Sequence, residues 1–385
     1  MNVAFVGETG VPYLNRATDT RLLFMANMLV KNNNVYIINR MPYKKNNYKM
    51  DSMLDEKIKI VNLFRSYDLK KIISRIFFSF ISYPFELMYL MRLNHKININ
   101  VLHVYSGHFI DLFFYFIISK IISSKICMQF VEFHFSPKAK GYYRINGYLV
   151  DYKSHVFFNG FIPISNYISN HIKSLSPHKP LLKIPPICDF KYISSIAKDY
   201  KYEKPYLLYC GAAGYKAAIS IIVECFELLM NNDTLNLDIN LFLIVNGNIE
   251  NLKMSVKDNE RIKILQNIDF TELIKLYKNA EVLFIPLQST IREIARFPNK
   301  ICEYTASKGL ILTTNVGEIP FYFKNKENAI IAKDCSAKSL EEQLVWIFQN
   351  QDKLPVIREN AYKLGGNFFN MDTYIEDINT FLKKL

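Results

Sequence analysis

The sequence predicts an α/β protein made of two doubly wound domains, and three observations lead to that prediction. The chain has 385 residues, more than one ordinary hydrophobic core organises. Short, continuously apolar segments alternate with helical ones in both halves, as in parallel sheets covered by helices. A polar segment, 189–205, separates the two series and reads as an interdomain linker. We therefore expect a first domain at 1–190, a second at 200–370, and a C-terminal helix at 371–385 that packs back toward the first domain.

The first half opens with the strand, helix and strand order of a parallel sheet. Residues 2–6 form an apolar run that ends at Gly7, residues 20–31 repeat apolar side chains at helical spacing, and 35–38 form a second apolar run. The further strands predicted in this half are 59–63, 101–105, 125–130 and 160–164.

The second half restarts the same order after the polar segment. A strand is predicted at 206–210, a loop at 211–216 and a helix at 217–230. The further predicted strands are 240–245, 262–265, 282–286 and 310–313, and the further predicted helices are 271–278, 299–307 and 372–385.

Charge is distributed unevenly between the halves. The first 200 residues carry 26 Lys and Arg against 12 Asp and Glu, a net of +14, whereas the remaining residues carry 22 against 23, a net of −1. A general drift in amino-acid composition is the plainer explanation, but it would affect both halves alike and so accounts less well for the difference. The pattern fits a basic domain that faces an acidic membrane or a phosphate-bearing acceptor. No nucleic-acid-binding module accompanies the basic half, so nucleic acid is not an expected partner.

The cysteines and carboxylates predict neither disulfides nor a metal. The six cysteines show no CxxC and no paired spacing, which is typical of a reduced, cytoplasmic chain. No Asp-x-Asp pair occurs to hold Mg²⁺ or Mn²⁺, so we expect no metal and no cofactor. The N-terminal residues lack the basic and long apolar regions of a signal peptide, which also favours a cytoplasmic location.

Two apolar segments of the first half, 69–93 and 109–130, allow two interpretations. Charged residues interrupt both segments, and a proline also interrupts 69–93, before either reaches the about 20 residues of a membrane-spanning helix. The clustered cations and aromatic residues of 69–93 would suit a membrane interface. Amphipathic helices that cover the sheet would explain the aliphatic residues equally well.

Ligands of parallel α/β sheets gather at the carboxyl ends of strands, where loops enter helices. The loop 211–216 contains Gly211 and Gly214, which allow a phosphate to approach the backbone, and it ends in the cation Lys216. Gly247 follows the next strand, and on its own it indicates only a turn.

The segment 297–304 holds a second set of candidate ligand groups. Pro298 suits the start of a helix, so Asn299 and the first-turn amides of Lys300 and Ile301 would point at a ligand. Glu303, one turn further on, can accept hydrogen bonds from two adjacent hydroxyls, as carboxylates do for ribose. The plainer alternatives are a solvated helix residue for Glu303 and an ordinary surface charge for Lys300.

Five segments in this order resemble the C-terminal domain of the large retaining GT-B glycosyltransferases known as family 4. They are YCGAAGYK (209–216), IVNG (244–247), residues 273–286, FPNKICEY (297–304) and TNVGEIP (314–320). The first half is similar more loosely, at 7–16, 164–165 and 184–189. The resemblance implies a GT-B fold, with two Rossmann-like domains facing across a cleft.

The resemblance assigns residue roles in the second domain. Lys216 corresponds to the lysine that holds the donor diphosphate, and Glu303 to the glutamate that binds the nucleotide ribose. The sequence departs from the family at two positions, with Ala212 where an arginine is frequent and Ala295 where a glutamate is frequent. The residues that could replace them are Glu293, Arg292 and Arg296, and the sequence does not distinguish among them.

The acceptor side is expected in the basic first half. His134 ends a predicted buried strand where family members often have a His or Asp near the reacting sugar, and Glu132 is a similar candidate. Gly10 and Arg16 belong to the first loop, where Arg16 could meet an acceptor phosphate. A structural histidine at 134 and a salt-bridge partner at 16 are the alternatives.

The expected activity is transfer of a sugar from a nucleotide diphosphate-sugar to a hydroxyl acceptor, with retention and without metal. His134, Lys216 and Glu303 are the candidate catalytic residues. The acceptor is a glycan or lipid-linked sugar of surface polysaccharide assembly, at the inner face of an anionic membrane. Two other functions stay open: a nucleotide-sugar epimerase of the same fold, and a catalytically inactive binding subunit.

Overall fold

A computed structural model gives the structure of residues 1–7, 9–12, 17–40, 54–64, 72–198, 202–232, 234–256 and 259–385. These residues divide into two compact units. The first contains Met1–Pro185 and Met371–Leu385, and the second contains Pro186–Asn370. The second unit therefore begins three residues before the predicted linker, and the C-terminal segment is part of the first unit.

The strands of the described residues are β1 (Asn2–Gly7), β2 (Asn34–Asn39), β3 (Lys59–Asn62), β4 (Val101–Tyr105), β5 (Lys125–Phe130), β6 (Gly160–Pro163), β7 (Tyr206–Ala212), β8 (Asn240–Asn246), β9 (Ile262–Leu265), β10 (Val282–Ile285), β11 (Ile311–Thr314) and β12 (Ile330–Ala332). The helices are α1 (Ala17–Val30), α2 (Ile72–Ile97), α3 (Phe109–Ile121), α4 (Gly141–Tyr152), α5 (Asn166–Leu175), α6 (Phe190–Ser195), α7 (Lys216–Met230), α8 (Glu250–Val256), α9 (Phe270–Asn279), α10 (Ile291–Ala295), α11 (Lys300–Ala306), α12 (Ile319–Tyr322), α13 (Ala337–Gln349), α14 (Leu354–Phe368) and α15 (Ile375–Lys383).

Each unit has one parallel sheet of six strands within the described residues. The order is β3-β2-β1-β4-β5-β6 in the first unit and β12-β11-β10-β7-β8-β9 in the second. All pairings are parallel, and the strands other than the edge strands β3 and β9 are largely buried on both sides, which explains why they read as continuous apolar runs. Both sheets are doubly wound, as the sequence predicted. The direction of strand addition reverses beside β1 in one sheet and beside β7 in the other.

The winding places α2, α3 and α4 on one face of the first sheet. The connections from β3 to β4, β4 to β5 and β5 to β6 all advance in the same direction, whereas β1 to β2 runs the opposite way. Because such crossovers are right-handed, α1 covers the other face. The C-terminal helix α15 packs beside α1, and the side chain of Phe381 lies against Gly160 of β6.

A buried polar cluster ties α2 and α3 to the end of β2. Arg40 lies 2.6 Å from Asp111 and 3.6 Å from Glu86, and Tyr83 donates to Asp111. Burial raises the pKa of Glu86 to about 7. Burial acts in the same direction on Asp111, but Arg40 holds the pKa of that carboxyl below its ordinary value. The cluster therefore fixes both helices with charges that face inward.

Two sequence expectations need correction. The segment 189–205 is not an unstructured linker throughout, because Asp189 accepts a hydrogen bond from the Tyr192 amide and starts α6. Phe190 and Ile193 of that helix are buried. The last helix begins at Ile375, after a 3-10 turn at Met371–Tyr374.

The segment 69–93 falls mostly within the single helix α2, although residues 69–71 lie outside the described residues. Within the described chain, no helix has both the length and the hydropathy needed to cross a membrane.

Candidate active site

The carboxyl ends of β7 and β8 bring two glycine loops together in the second unit. Strand pairing continues to Ala212 and Asn246, and the Ala213 amide donates to the Asn246 carbonyl at 2.9 Å. Gly247 has a φ of +120°, and a Cβ added there would lie 3.1 Å from Cβ of Ala213. A glycine is therefore needed at 247 for conformation and for space. The structure places Gly247 beside the 211–216 loop, a proximity that the sequence alone did not indicate.

Within that loop, the two candidate glycines have different surroundings. A side chain at Gly211 would collide with the ring of Tyr209, whereas none of the described atoms lies within 4 Å of a Cβ built at Gly214. Lys216 is exposed and is the first residue of α7, one position earlier than predicted. The Lys216 ammonium group therefore lies at the N-terminal end of a 15-residue helix, where anions are favoured.

The segment 297–304 forms the start of α11, with Lys300 as its first helical residue and Asn299 as the residue that precedes it. The Pro298 carbonyl accepts a hydrogen bond from the Ile301 amide at 3.1 Å, and the Ile301 side chain is fully buried. Neither the amide nor the side chain of Ile301 is thus directed at a ligand. Ile301 supports the turn instead, and helix α11 begins one residue later than expected.

Glu303 is not a solvated helix residue. It is 3% exposed, and its Oε2 accepts a hydrogen bond from Nζ of Lys300 at 2.9 Å. Burial alone would lower the pKa of Lys300, but nearby Cys210 and Glu303 raise it above its ordinary value. Lys300 is therefore not an ordinary surface charge either. Its electrostatic interaction with Cys210 places the start of α11 near the end of β7.

Arg296 connects this segment to the 211–216 loop. Its guanidinium group donates to Glu293 at 2.6 Å and to the Tyr215 hydroxyl, and it lies 4.3 Å from the centre of the Tyr215 ring. Arg292 is further away, at 5.9 Å from the same ring centre. The structure thus brings the Glu293–Arg296 pair next to the residue that precedes Lys216. The sequence could not select this pair, because the contact joins residues 81 positions apart.

A cavity of about 280 Å³ lies in the first unit, where β4 and β5 end. It is lined by Thr18, residues 105–107 and residues 128–132, together with His134. The structure therefore brings Glu132 and His134 into one cavity. Gly10 is buried in the loop after β1 and does not line it. Arg16 lies outside the described residues.

The backbone at His134 is held from two sides. The amides of His134 and Phe135 both donate to Oδ2 of Asp151, at 2.8 and 2.6 Å. A Cβ on Gly147 would lie 2.6 Å from the His134 carbonyl oxygen, and one on Gly107 would lie 2.8 Å from its ring. Burial raises the pKa of Asp151 to about 7, although the two amides act against it. Sequence reasoning missed Asp151, since nothing in its local pattern distinguishes it.

The described residues contain no group of three or more His, Cys, Asp or Glu side chains arranged to hold a metal ion. The charged groups of the second-unit site are instead the cations Lys216, Arg296 and Lys300, with the carboxylates of Glu293 and Glu303.

A known protein family matches most of the second unit. The family model for glycosyl transferases group 1 matches residues 195–364, which is less than half of the chain. No curated protein sequence matches the chain.

Solved structures resemble the whole chain. Sucrose-phosphate synthase from Thermosynechococcus elongatus aligns with a TM-score of 0.75 at 12% identity, over 100% of this chain and 98% of that one. HepE from Anabaena, in complex with UDP-glucose, aligns with a TM-score of 0.71 at 11% identity, over 100% of both chains. The lipopolysaccharide outer core galactosyltransferase WaaB aligns with a TM-score of 0.61 at 12% identity, again over 100% of both. The fold is GT-B, and the matched domain together with this fold supports a GT-B glycosyltransferase.

Proposed function

We propose that this protein transfers a sugar from a nucleotide diphosphate-sugar to a hydroxyl acceptor with retention at the anomeric carbon. The observation that carries the proposal is the convergence of Lys216, Arg296 and the Lys300–Glu303 pair around the carboxyl end of β7. This is the point of the sheet where strand order reverses, and ligands of α/β sheets bind at such points.

The donor site is built to receive a diphosphate leaving group. Bond cleavage leaves negative charge on the diphosphate, and fixed cations that face it lower the barrier. We assign this role to Lys216 and Arg296. The arginine replaces the one that family members often carry at the position of Ala212. Because these cations can neutralise the diphosphate, we propose that catalysis does not require a metal ion or another cofactor.

Glu303 is assigned to the nucleotide ribose. Lys300 engages Oε2 of Glu303, which leaves Oε1 to accept hydrogen bonds from the ribose hydroxyls. Backbone groups of Asn299 and Lys300 lie beside the same position and are assigned to the diphosphate or the sugar. HepE is crystallised with UDP-glucose, so uridine diphosphate-sugars are the first donors to test.

The acceptor is assigned to the first unit. Glu132 and His134 line its cavity, and we propose that His134 lines the reacting sugar. The excess of cations in this half favours an acceptor that bears phosphate, such as a lipid-linked sugar of surface polysaccharide assembly. The resemblance to WaaB, named as a lipopolysaccharide galactosyltransferase, is consistent with this choice. Peripheral contact with the inner face of an anionic membrane would bring the enzyme to such an acceptor.

A turnover assay over a panel of nucleotide diphosphate-sugars tests the proposal. A transferase should slowly release free nucleoside diphosphate without acceptor, because water can replace the acceptor hydroxyl. An epimerase would return an altered nucleotide sugar, and an inactive subunit would return nothing. Lys216→Ala should abolish release, whereas Lys333→Ala, an exposed lysine elsewhere in the second unit, should not. Full activity of the Lys216 variant would contradict the assignment.

A further inference from the structure

The first unit exposes an apolar stripe along α3. Ile110, Phe113, Ile117 and Ile121 are 57%, 46%, 41% and 49% exposed, and their spacing places them on one side of the helix. The opposite side of α3 is buried against the sheet. A helix that only covers a sheet would carry polar residues on its outer side, so this stripe requires a separate explanation.

Neighbouring helices extend the stripe into a wider face. Tyr143 and Ile145 of α4 are 75% and 62% exposed, and Val156 follows in the adjoining 3-10 turn. Phe157 of that turn packs against α3, with ring centres 5.5 Å from Phe109 and 5.0 Å from Phe116. Helix α2 contacts α3 on its other side and exposes large apolar residues of its own. We call the outer sides of α2, α3, α4 and this turn the apolar face.

The exposed charges described in the segment that forms this face have one sign. Residues 72–157 contain nine Lys and Arg but four acidic residues. Glu86, Asp111 and Asp151 are buried, and the fourth, Glu132, lines the cavity. The described lysines and arginines of the same segment are exposed. Lys120 lies 5.3 Å from the ring centre of Phe116, and Lys153 lies 5.8 Å from that of Tyr148, so cations and aromatic rings are interleaved.

We propose that the apolar face docks on an anionic lipid bilayer. Apolar and aromatic side chains would enter the boundary between headgroups and acyl chains, while the flanking cations meet lipid phosphates. A second copy of the chain fits less well, because two such faces would set cation against cation, and the described residues of these helices offer no exposed carboxylate to offset them. This proposal names the surface through which the enzyme of the proposed function would reach a membrane. Only the biological purpose of the docking rests on that proposed function.

Docking of this face would bring a lipid-borne acceptor to the cavity. The cavity residue Gly107 lies two residues before the start of α3, and its carbonyl accepts a hydrogen bond from Asn146 of α4 at 2.8 Å. Asn146 also accepts from the Phe109 amide at 2.9 Å. The same two helices therefore carry the apolar face and position the cavity, so the acceptor class that follows is a phosphate-bearing lipid with a sugar headgroup.

Vesicle flotation tests the proposal with the full chain. Phosphatidylcholine vesicles with and without about 30% phosphatidylglycerol are compared at low and high salt, since screening weakens surface attraction. The wild type should float with the vesicles that contain phosphatidylglycerol and not with those of pure phosphatidylcholine. Phe113→Ser/Ile117→Ser and, separately, Lys120→Glu/Lys153→Glu should each lower the bound fraction about 10-fold. The matched controls are Phe321→Ser/Val356→Ser and Lys333→Glu/Lys363→Glu in the second unit, and they should bind like the wild type.

Each contrary result overturns a defined part of the reasoning. A wild type that ignores anionic vesicles at low salt, or stripe variants that bind unchanged, would refute lipid docking. A dimer in light scattering that dissociates in the stripe variants would show that a second copy covers the face. Release of nucleoside diphosphate in vesicle-free solution should be equal in all variants. Its absence from the wild type would count against the proposed function and leave the vesicle result standing.

Discussion

The contact between Asp151 and the His134 backbone gives a sharp prediction. Oδ2 of Asp151 accepts hydrogen bonds from two consecutive amides, at 2.8 and 2.6 Å. Its other oxygen, Oδ1, is buried and has no hydrogen-bond partner among the described residues. Asp151→Asn keeps an acceptor for both amides but removes the charge, whereas Asp151→Ala removes the acceptor. The two variants therefore separate hydrogen bonding from ionisation.

The magnitudes follow from burial and the raised pKa. Loss of a buried acceptor costs about 1–3 kcal/mol for each stranded amide, so Asp151→Ala should lower the free energy of unfolding of the first unit by about 3 kcal/mol. The carboxyl binds its proton more tightly in the fold, with a pKa of about 7 against 3.8. This tighter proton binding stabilises the fold below pH 4, and the stabilisation is lost as the pH rises through 7. The stabilisation amounts to about 4 kcal/mol, since each unit of difference between the two pKa values corresponds to 1.36 kcal/mol.

In denaturant unfolding, fluorescence of Trp346, the single tryptophan, reports on the second unit, whereas tyrosine circular dichroism reports on both units. The first unit is therefore the part of the tyrosine transition that Trp346 fluorescence does not follow. Between pH 4 and 8, Asp151→Asn should gain stability relative to the wild type. Amide exchange at His134 and Phe135 should accelerate in Asp151→Ala and stay slow in Asp151→Asn. The control is Asp269→Ala, an exposed helix cap that should cost about 1 kcal/mol. The reasoning fails if the difference between Asp151→Asn and wild type does not change with pH, or if the alanine variant exchanges normally.

Three further changes have defined outcomes. Asp111→Ala should destabilise the first unit by about 3–5 kcal/mol in denaturant unfolding, because Arg40 stays buried without its closest partner; a loss below 1 kcal/mol would contradict this. Gly247→Ala should lower the free energy of unfolding by about 1–3 kcal/mol, because alanine is strained at a φ of +120°, and it should raise the donor KM. A thermal unfolding midpoint equal to that of the wild type would refute the strain. Arg296→Lys keeps the charge but loses the fork that joins Glu293 and Tyr215, so kcat/KM should fall about 10-fold or more. Equal kcat/KM would remove Arg296 from the site.

The fold could be predicted largely because buried parallel strands are continuous apolar runs. The strands at 101–105, 125–130 and 262–265 have the predicted bounds. Helix α6 was missed because only Phe190 and Ile193 carry its apolar signal, inside an otherwise polar segment. Helix α4 was missed because its tyrosines and glycines do not repeat at helical spacing, and its buried side rests on Asn146 and Asp151 as much as on Val150.

Some residues of the site also stand in local sequence patterns, whereas others depend on contacts between distant parts of the chain. Lys216 and Glu303 stand in local patterns, which the sequence displays, although their assigned roles remain proposals. The pairing of Arg296 with Tyr215 and of Asp151 with the His134 backbone depends on tertiary contacts that no local pattern encodes. The apolar face could not be separated from a buried one, because sequence periodicity shows that a helix has an apolar side but not what covers it.

Titration calorimetry of nucleoside diphosphates tests the central claim, that the second unit binds a nucleotide through α11 and the loop before α7. The wild type should bind one nucleoside diphosphate per chain, with uridine diphosphate as the first candidate. Glu303→Gln should weaken binding about 10-fold or more, because ribose hydroxyls lose a charged acceptor. The control Glu342→Gln, an exposed glutamate of α13, should bind like the wild type. No binding by the wild type, or equal affinity in the Glu303 variant, would contradict the claim.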